Sequence, residues 1–170
     1  MAALFHNTVH QINRRDYTLA QVQAWSPGVQ PGEIWRDRLQ SKQALYIAQA
    51  QTPQNQSSLI TGFAELDCPQ AATTSQPTSQ PTPQPSTSQR GHIDGFYIHH
   101  HHQGQGIGSA LLSTLERDAK ALGISLLYTE ASITAQPFFQ QRGFQVVRAQ
   151  TRQLRGCVFQ QFYMEKSLGA

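Results

Sequence analysis

The residues that most constrain this chain are His99–Ser109, HHHHQGQGIGS, which stand between a strand-patterned run and a helix-patterned one. Gly104, Gly106 and Gly108 let the backbone turn sharply and approach a ligand without Cβ interference. The amides of such a loop, with the N-terminus of the helix that starts near Gly106, form a site for an anion such as pyrophosphate. Two familiar phosphate loops are excluded. No Gly-Lys-Ser/Thr is present, and the spacing is G-x-G-x-G, not the G-x-G-x-x-G of dinucleotide folds. The element that does fit is Q-x-x-G-x-G, formed by Gln103, Gly106 and Gly108.

The rest of the chain punctuates around this loop. Ala2–Ile12 has a helical pattern, and Thr18 reads as the N-cap of a helix over Leu19–Trp25. Pro31 precedes a short helix carrying Ile34, Trp35 and Leu39. Ala44–Ala50 and Ser58–Leu66 read as strands joined by hairpin-type turn chemistry, and His92–His99 as a third strand. A helix over Gly106–Leu122 puts Ile107, Leu111, Leu115 and Leu122 on one face and stops at Gly123. Then come a strand over Ile124–Thr129, a helix over Ile133–Arg142 closed by Gly143, and strands over Phe144–Ala149 and Cys157–Glu165. This order predicts an α/β fold with a mixed central sheet and helices on both faces.

At 170 residues the chain predicts one domain, 1–170. Within it, Pro69–Gln89 is almost wholly Pro, Thr, Ser, Gln and Ala, with Thr-Ser-Gln-Pro in tandem. Without large apolar side chains this segment cannot offset a backbone ordering cost of roughly 1–2 kcal/mol per residue. It reads as a disordered insertion at 69–90. The net charge of +3 is spread along the chain, which favours a small phosphate-bearing ligand over a nucleic-acid track. No apolar run approaches the ~18 residues of a membrane span, and no secretory signal pattern opens the sequence. Two cysteines support neither a disulfide framework nor a four-thiolate zinc site, so a cytoplasmic setting is expected. His99–His102 reads as a surface turn, since four consecutive imidazoles cannot converge on one ion; no metal is expected.

The segment YIHHHHQGQGIGSALL resembles the acetyl-CoA pyrophosphate loop of the GNAT N-acetyltransferase superfamily, with its preceding fourth strand. The likeness continues through ISLLYTEAS and SITAQPFFQQRGF, which resemble that family's fifth strand, fourth helix and Gly-Phe turn. RGCVFQQFYMEK and the early HNTVH, LAQVQAW and IWRDRL are similar to its YafP-like branch. The resemblance implies the GNAT fold, but nothing before MAALFHNTVH matches the family's opening strand, so the first sheet strand is expected to be missing. An edge left open in this way could serve as a homodimer contact.

The resemblance also implies where acetyl-CoA, as co-substrate, would lie: in a gap between the parallel strands His92–His99 and Ile124–Glu130. Backbone groups of Phe96, Tyr97 and Ile98 would pair with its pantetheine arm, and Gln103, Gly104, Gln105, Gly106, Ile107, Gly108 and Ser109 would hold its pyrophosphate. Ser132 stands where an Asn often touches that arm. Phe139 occupies the position of a Tyr that commonly protonates the leaving thiolate, and Phe has no proton to donate. Phe138 and Phe139 would be core, or one wall of the groove.

The implied reaction is direct acetyl transfer to the amine of a small-molecule acceptor, with neither nucleic acid nor membrane involved. A base must take a proton from the ammonium. His92 and Asp94 share a face with Phe96 and Ile98 by period two, unless a bulge intervenes, and Glu130 ends the neighbouring strand. All three are candidates. For the acid, Ser132, Tyr128 or Tyr163 would substitute for the absent Tyr, or the thiolate leaves unassisted. Glu65 reads as a solvent-facing strand residue. The rival reading is a non-catalytic acyl-CoA-binding or sensing module.

Overall fold

A computed structural model describes residues 1–51, 58–68 and 89–169. The chain enters through α1 (Ala2–Gln11), a 3₁₀ turn (Asn13–Arg15), α2 (Leu19–Trp25) and α3 (Gly32–Gln40). A hairpin of β1 (Ala44–Gln51) and β2 (Ser58–Asp67) follows, then β3 (Gln89–Ile98) and a 3₁₀ turn (His100–His102). The second half contains α4 (Ile107–Ala121), β4 (Ile124–Ser132), α5 (Gln136–Gln140), β5 (Gln145–Leu154) and β6 (Cys157–Ser167). The six strands form one sheet in the order β1-β2-β3-β4-β6-β5. All neighbours are antiparallel except β3 and β4, which run parallel. Among the described residues no strand precedes α1, and β1 forms one edge of the sheet.

Both faces of the sheet are covered, as the alternation of elements predicts. On one face the apolar stripe of α4 (Leu112, Leu115 and Ala119) packs on Leu66, Ile93, Leu127 and Met164, with Phe139 and Phe144 closing the core. On the other face Val9, Val22 and Tyr17 pack on Phe159, and Leu4 and Trp35 pack on Phe63. The first-turn chemistry of α2 follows its sequence: Thr18 and Gln21 form a reciprocal capping box, worth about 1 kcal/mol for the Thr side chain. No helix of the described residues is long and apolar enough to cross a membrane.

Several sequence-based boundaries shift. Leu122 leaves the predicted apolar face and is 44% exposed, because α4 ends at Ala121 and Gly123, at φ +77°, turns the chain toward β4. The helix expected over Ile133–Arg142 shrinks to α5. Its start is delayed by a turn in which the Ala135 N–H donates to Ser132 Oγ, and Pro137 sits in its first turn. Strands β5 and β6 run past their expected ends to Leu154 and Ser167. Gln89 and Arg90, placed in the insertion from composition, begin β3, while residues 69–88 lie outside the described residues.

Two expectations about strand faces are overturned. The β2–β3 register pairs Glu65 with Gly95 and Leu66 with Ile93, so Asp94 bulges out of the ladder. The bulge reverses the phase of β3. Phe96 therefore joins Ile93 on the α4 face, and His92 and Asp94 do not share a face with Phe96. Glu65 is not solvent-facing: its side chain is 0% exposed and ion-paired to Arg38.

Candidate active site

The site begins where β3 and β4 part. Their parallel ladder pairs Gln89 through His92 with Ile124 through Tyr128 and then stops. Thr129 Oγ1 donates to the Ile93 carbonyl at 2.9 Å across the fork. Beyond it both strands continue, to Ile98 and Ser132, without pairing to each other. The Asp94 bulge bends β3 away from β4 at this point. A cavity of about 240 Å³ fills the resulting V. Its walls include Phe96, Ile98, Ala131, Ser132 and Phe139, and it runs from Gln103 on the α4 side to Trp25 and Gln161 on the α2 side.

The backbone lining this gap is set by alternation. The His99 N–H donates to Thr61 O on β2, so two residues back Tyr97 also points its backbone at β2, opposite Phe63. Phe96 and Ile98 point theirs into the gap. Tyr97 thus differs from its expected place: its ring lies with Phe5 and Phe63, and burial pushes its hydroxyl far above the ordinary tyrosine range. The Ile98 carbonyl already accepts from Thr8 Oγ1 (3.1 Å) and from Gln103 Nε2 (2.8 Å). Gln103 therefore ties the loop to the strand end, and Gln105 Nε2 ties to His101 O at 3.3 Å.

The glycine loop divides into two kinds of position. Gly104 and Gly106 have φ of +72° and +80°, and a Cβ built on either would meet no protein atom within 4 Å. Both face open space in front of the loop amides. Gly106 is the N-cap of α4 and supplies no side-chain cap, so the first-turn amides of Ile107, Gly108 and Ser109 have no capping side chain. That leaves room and donors for an anion. Gly108 differs: it is buried, and a Cβ there would stand 2.8 Å from Phe138 Cε2. It is needed for packing, not for ligand approach. Ser109 Oγ accepts from Arg142, whose guanidinium lies 3.9 Å from the Phe138 ring centroid. His99–His102 folds into a single turn in which the His99 ring stacks on His100 at 4.3 Å and the His101 ring lies tilted against His100 at 4.2 Å.

The reactive side chains gather at the closed end of the V. His92 Nε2 and Glu130 Oε2 are 2.6 Å apart, and the Tyr128 ring stacks on His92 at 4.6 Å with an interplanar angle of 8°. The hydrogen bond from His92 holds the Glu130 carboxyl below its ordinary range, against a smaller opposing effect of burial. Asp94 is engaged otherwise. Lys42 Nζ and Arg38 Nη2 reach its Oδ2 at 2.6 and 3.1 Å. Burial acts to raise its pKa, but the Lys42 hydrogen bond and the two cations outweigh it and hold it low.

Tyr163 accepts from Arg90 and donates to Glu165 at 3.1 Å; burial, then that hydrogen bond, raises its pKa. Ser132 caps the turn before α5, and Phe139 is buried against Phe96 and Phe144. The fold thus brings Asp94, Glu130, Phe96, Ile98, Ser132 and Phe139 around one gap, with His92 bonded to Glu130 beside it, whereas Tyr163 is not among the lining residues. Sequence reasoning missed Lys42, Arg38, Thr8 and Trp25. They come from the helical first third, where no local pattern marks a side chain that will meet the sheet.

A parallel strand pair that splays beside an uncapped helix N-terminus, inside this strand order, makes a mixed α/β domain with a gap suited to an extended, anionic ligand. The Acetyltransferase (GNAT) domain family matches residues 84–168, half of the chain, and the chain belongs to that family. It is 38% identical over 73 residues to the uncharacterized N-acetyltransferase YafP of Escherichia coli (strain K12); the match covers 43% of this chain and 45% of that one. The aligned part therefore spans less than half the length of this curated relative. A solved GCN5-related N-acetyltransferase from Rhodopseudomonas palustris superimposes with a TM-score of 0.74 at 26% identity, covering 98% of this chain and 86% of that one. A GNAT family acetyltransferase from Elizabethkingia anophelis, solved with acetyl-CoA bound, shares the fold at a TM-score of 0.52 and 18% identity, covering 81% and 83%.

Proposed function

We propose that this protein is an N-acetyltransferase that moves an acetyl group from acetyl-CoA directly to the amine of a small-molecule acceptor. The observation that carries the reading is the β3–β4 fork, with free amides at its open end and the His92–Glu130 pair at its closed end. Bound acetyl-CoA would supply a thioester-activated acetyl group. The open space before Gly104 and Gly106 and the uncapped start of α4 suit its pyrophosphate, and the gap-facing backbone of Phe96 suits its extended arm.

His92 is the base on this reading, oriented by Glu130 and by the stacked Tyr128 ring. Asp94, committed to two cations and held at low pKa, is a poor base at neutral pH and acts in positioning Lys42 and Arg38. Phe139 can donate no proton, and the Tyr163 hydroxyl donates to Glu165 and does not line the cavity, so on this reading the thiolate leaves without a tyrosine acid.

CoA release followed with a thiol reagent across an amine panel tests the reading. His92→Gln should lower kcat by about 10²–10⁴-fold, whereas Asp94→Asn should lower it by far less. The same panel tests the binding-module alternative, which Phe139 favours. Tight acetyl-CoA binding with no amine-dependent CoA release would replace the enzyme with that alternative.

A further inference from the structure

The charges at the α2 end of the cavity are unequally matched. Its two carboxylates are engaged, Asp94 by Lys42 and Arg38 and Glu130 by His92. Its two guanidiniums are not. Arg15, in the 3₁₀ turn after α1, and Arg152, on β5, line the same cavity. Among the described residues, neither has a carboxylate within 4.0 Å. The side chain of Asp16, next to Arg15, instead accepts from Thr134 Oγ1 at 2.7 Å. Arg15 Nε donates to the Ile12 carbonyl, which leaves its terminal nitrogens free of any acid.

The register explains how Arg152 reaches the cavity. It pairs with Phe159 on β6, whose ring packs on Tyr17 and Trp25, so Arg152 stands on the face that carries α1 and α2. The uncapped amides of α4 belong to the opposite face. Phosphates held there leave Arg15 and Arg152 unmatched.

We infer that the acceptor is a small amine that also carries an anionic group, a carboxylate or phosphonate, which Arg152 and Arg15 bind while the amine reaches His92 at the fork. This rests on the transferase reading above. A guanidinium presents two parallel N–H donors to two oxygens, so an anion here is oriented as well as attracted. A diamine would instead place its second ammonium against two unpaired cations.

The test compares matched amines at saturating acetyl-CoA: an amino acid, its amide, the decarboxylated amine and the corresponding aminophosphonate. We expect an acid or phosphonate to exceed the amide at least tenfold in kcat/KM, and the larger of the two names the anion. Arg152→Gln, and separately Arg15→Gln, should reduce the acid-to-amide ratio below threefold, mainly through the KM of the acid. Both residues are exposed, and a melting curve for each variant checks folding. Equal turnover of acid and amide, or an unchanged ratio in both variants, overturns the inference. So does a loss of CoA affinity in both variants as large as the loss toward the acid.

A second readout separates this inference from the reading beneath it. The N-acetylated acid and its amide are titrated calorimetrically into the CoA complex. If no amine is turned over, yet the acetylated acid binds tenfold tighter in an Arg152-dependent way, the transferase reading falls and the anion site stands. Turnover without acid preference does the reverse.

Discussion

Replacing Arg38 with methionine would strip the buried Glu65 carboxylate of three hydrogen bonds, from Nε at 3.0 and 3.1 Å and from Nη2 at 2.6 Å. Glu65 is fully buried in the middle of β2, so the carboxylate would be left charged and unpaired. Removing one partner of a buried pair costs about 3–5 kcal/mol. Arg38 itself is 41% exposed, so water can follow the departing guanidinium, and the expected loss is at the low end, about 3 kcal/mol. For a chain of this size that lowers Tm by about 6–12 °C. Glu65→Gln keeps the shape and leaves Arg38 its Asp94 partner, so it should cost only about 1–2 kcal/mol. The double variant closes a cycle with a coupling energy of about 2 kcal/mol. Arg38 also donates to Asp94, and repeating the cycle in an Asp94→Asn background isolates the Glu65 contribution. Urea unfolding at pH 7 provides the assay. An Arg38→Met variant within about 0.5 kcal/mol of wild type, the range of ordinary surface changes, would refute the buried-pair reasoning.

Three further outcomes follow from the same geometry. Gly108→Ala puts a Cβ 2.8 Å from Phe138 Cε2 and 3.1 Å from Cζ, and should destabilise by about 1–3 kcal/mol in urea unfolding; a neutral result would mean that Phe138 moves freely. Gly106→Val meets no atom but must hold φ near +80°, so it should cost about 1–2 kcal/mol of stability and at least tenfold in CoA affinity by calorimetry; unchanged affinity would remove the loop from the cofactor site. Asp94 has a folded pKa below its ordinary 3.8, so its contribution is complete above that value and is lost as pH falls through the lowered one. The stability gap between wild type and Asp94→Asn should therefore shrink below about pH 4, and a gap constant down to pH 2.5 would exclude the ion pairs as its source.

Much of the fold was legible because its signals are local. Thr18 caps a helix through Gln21, Gly123 and Gly143 take positive φ at helix ends, and the apolar spacing of α4 appears within fifteen residues. The glycine loop was legible for the same reason: its chemistry is backbone chemistry, held in a few consecutive residues. The boundary errors lie where a neighbour decides. Ser132 holds a turn that delays α5, and the pairing of Gln89 and Arg90 with β4 draws them out of a polar segment into a strand.

The sequence by itself determined the order of elements, the glycine loop ahead of α4 and the candidate set His92, Asp94 and Glu130. Only the tertiary structure sorted that set, and it did so through one bulge. By shifting β3 a single residue at Asp94, it sent Phe96 to the α4 face and left His92 beside Glu130. It also brought Lys42 and Arg38 from α3 and its C-terminal turn onto Asp94, and Arg38 onto a Glu65 that alternation alone would leave in water. A bulge arises from the register of two strands distant in sequence, and the strength of a base depends on charges that arrive across space. Neither is written in the spacing of residues along one strand.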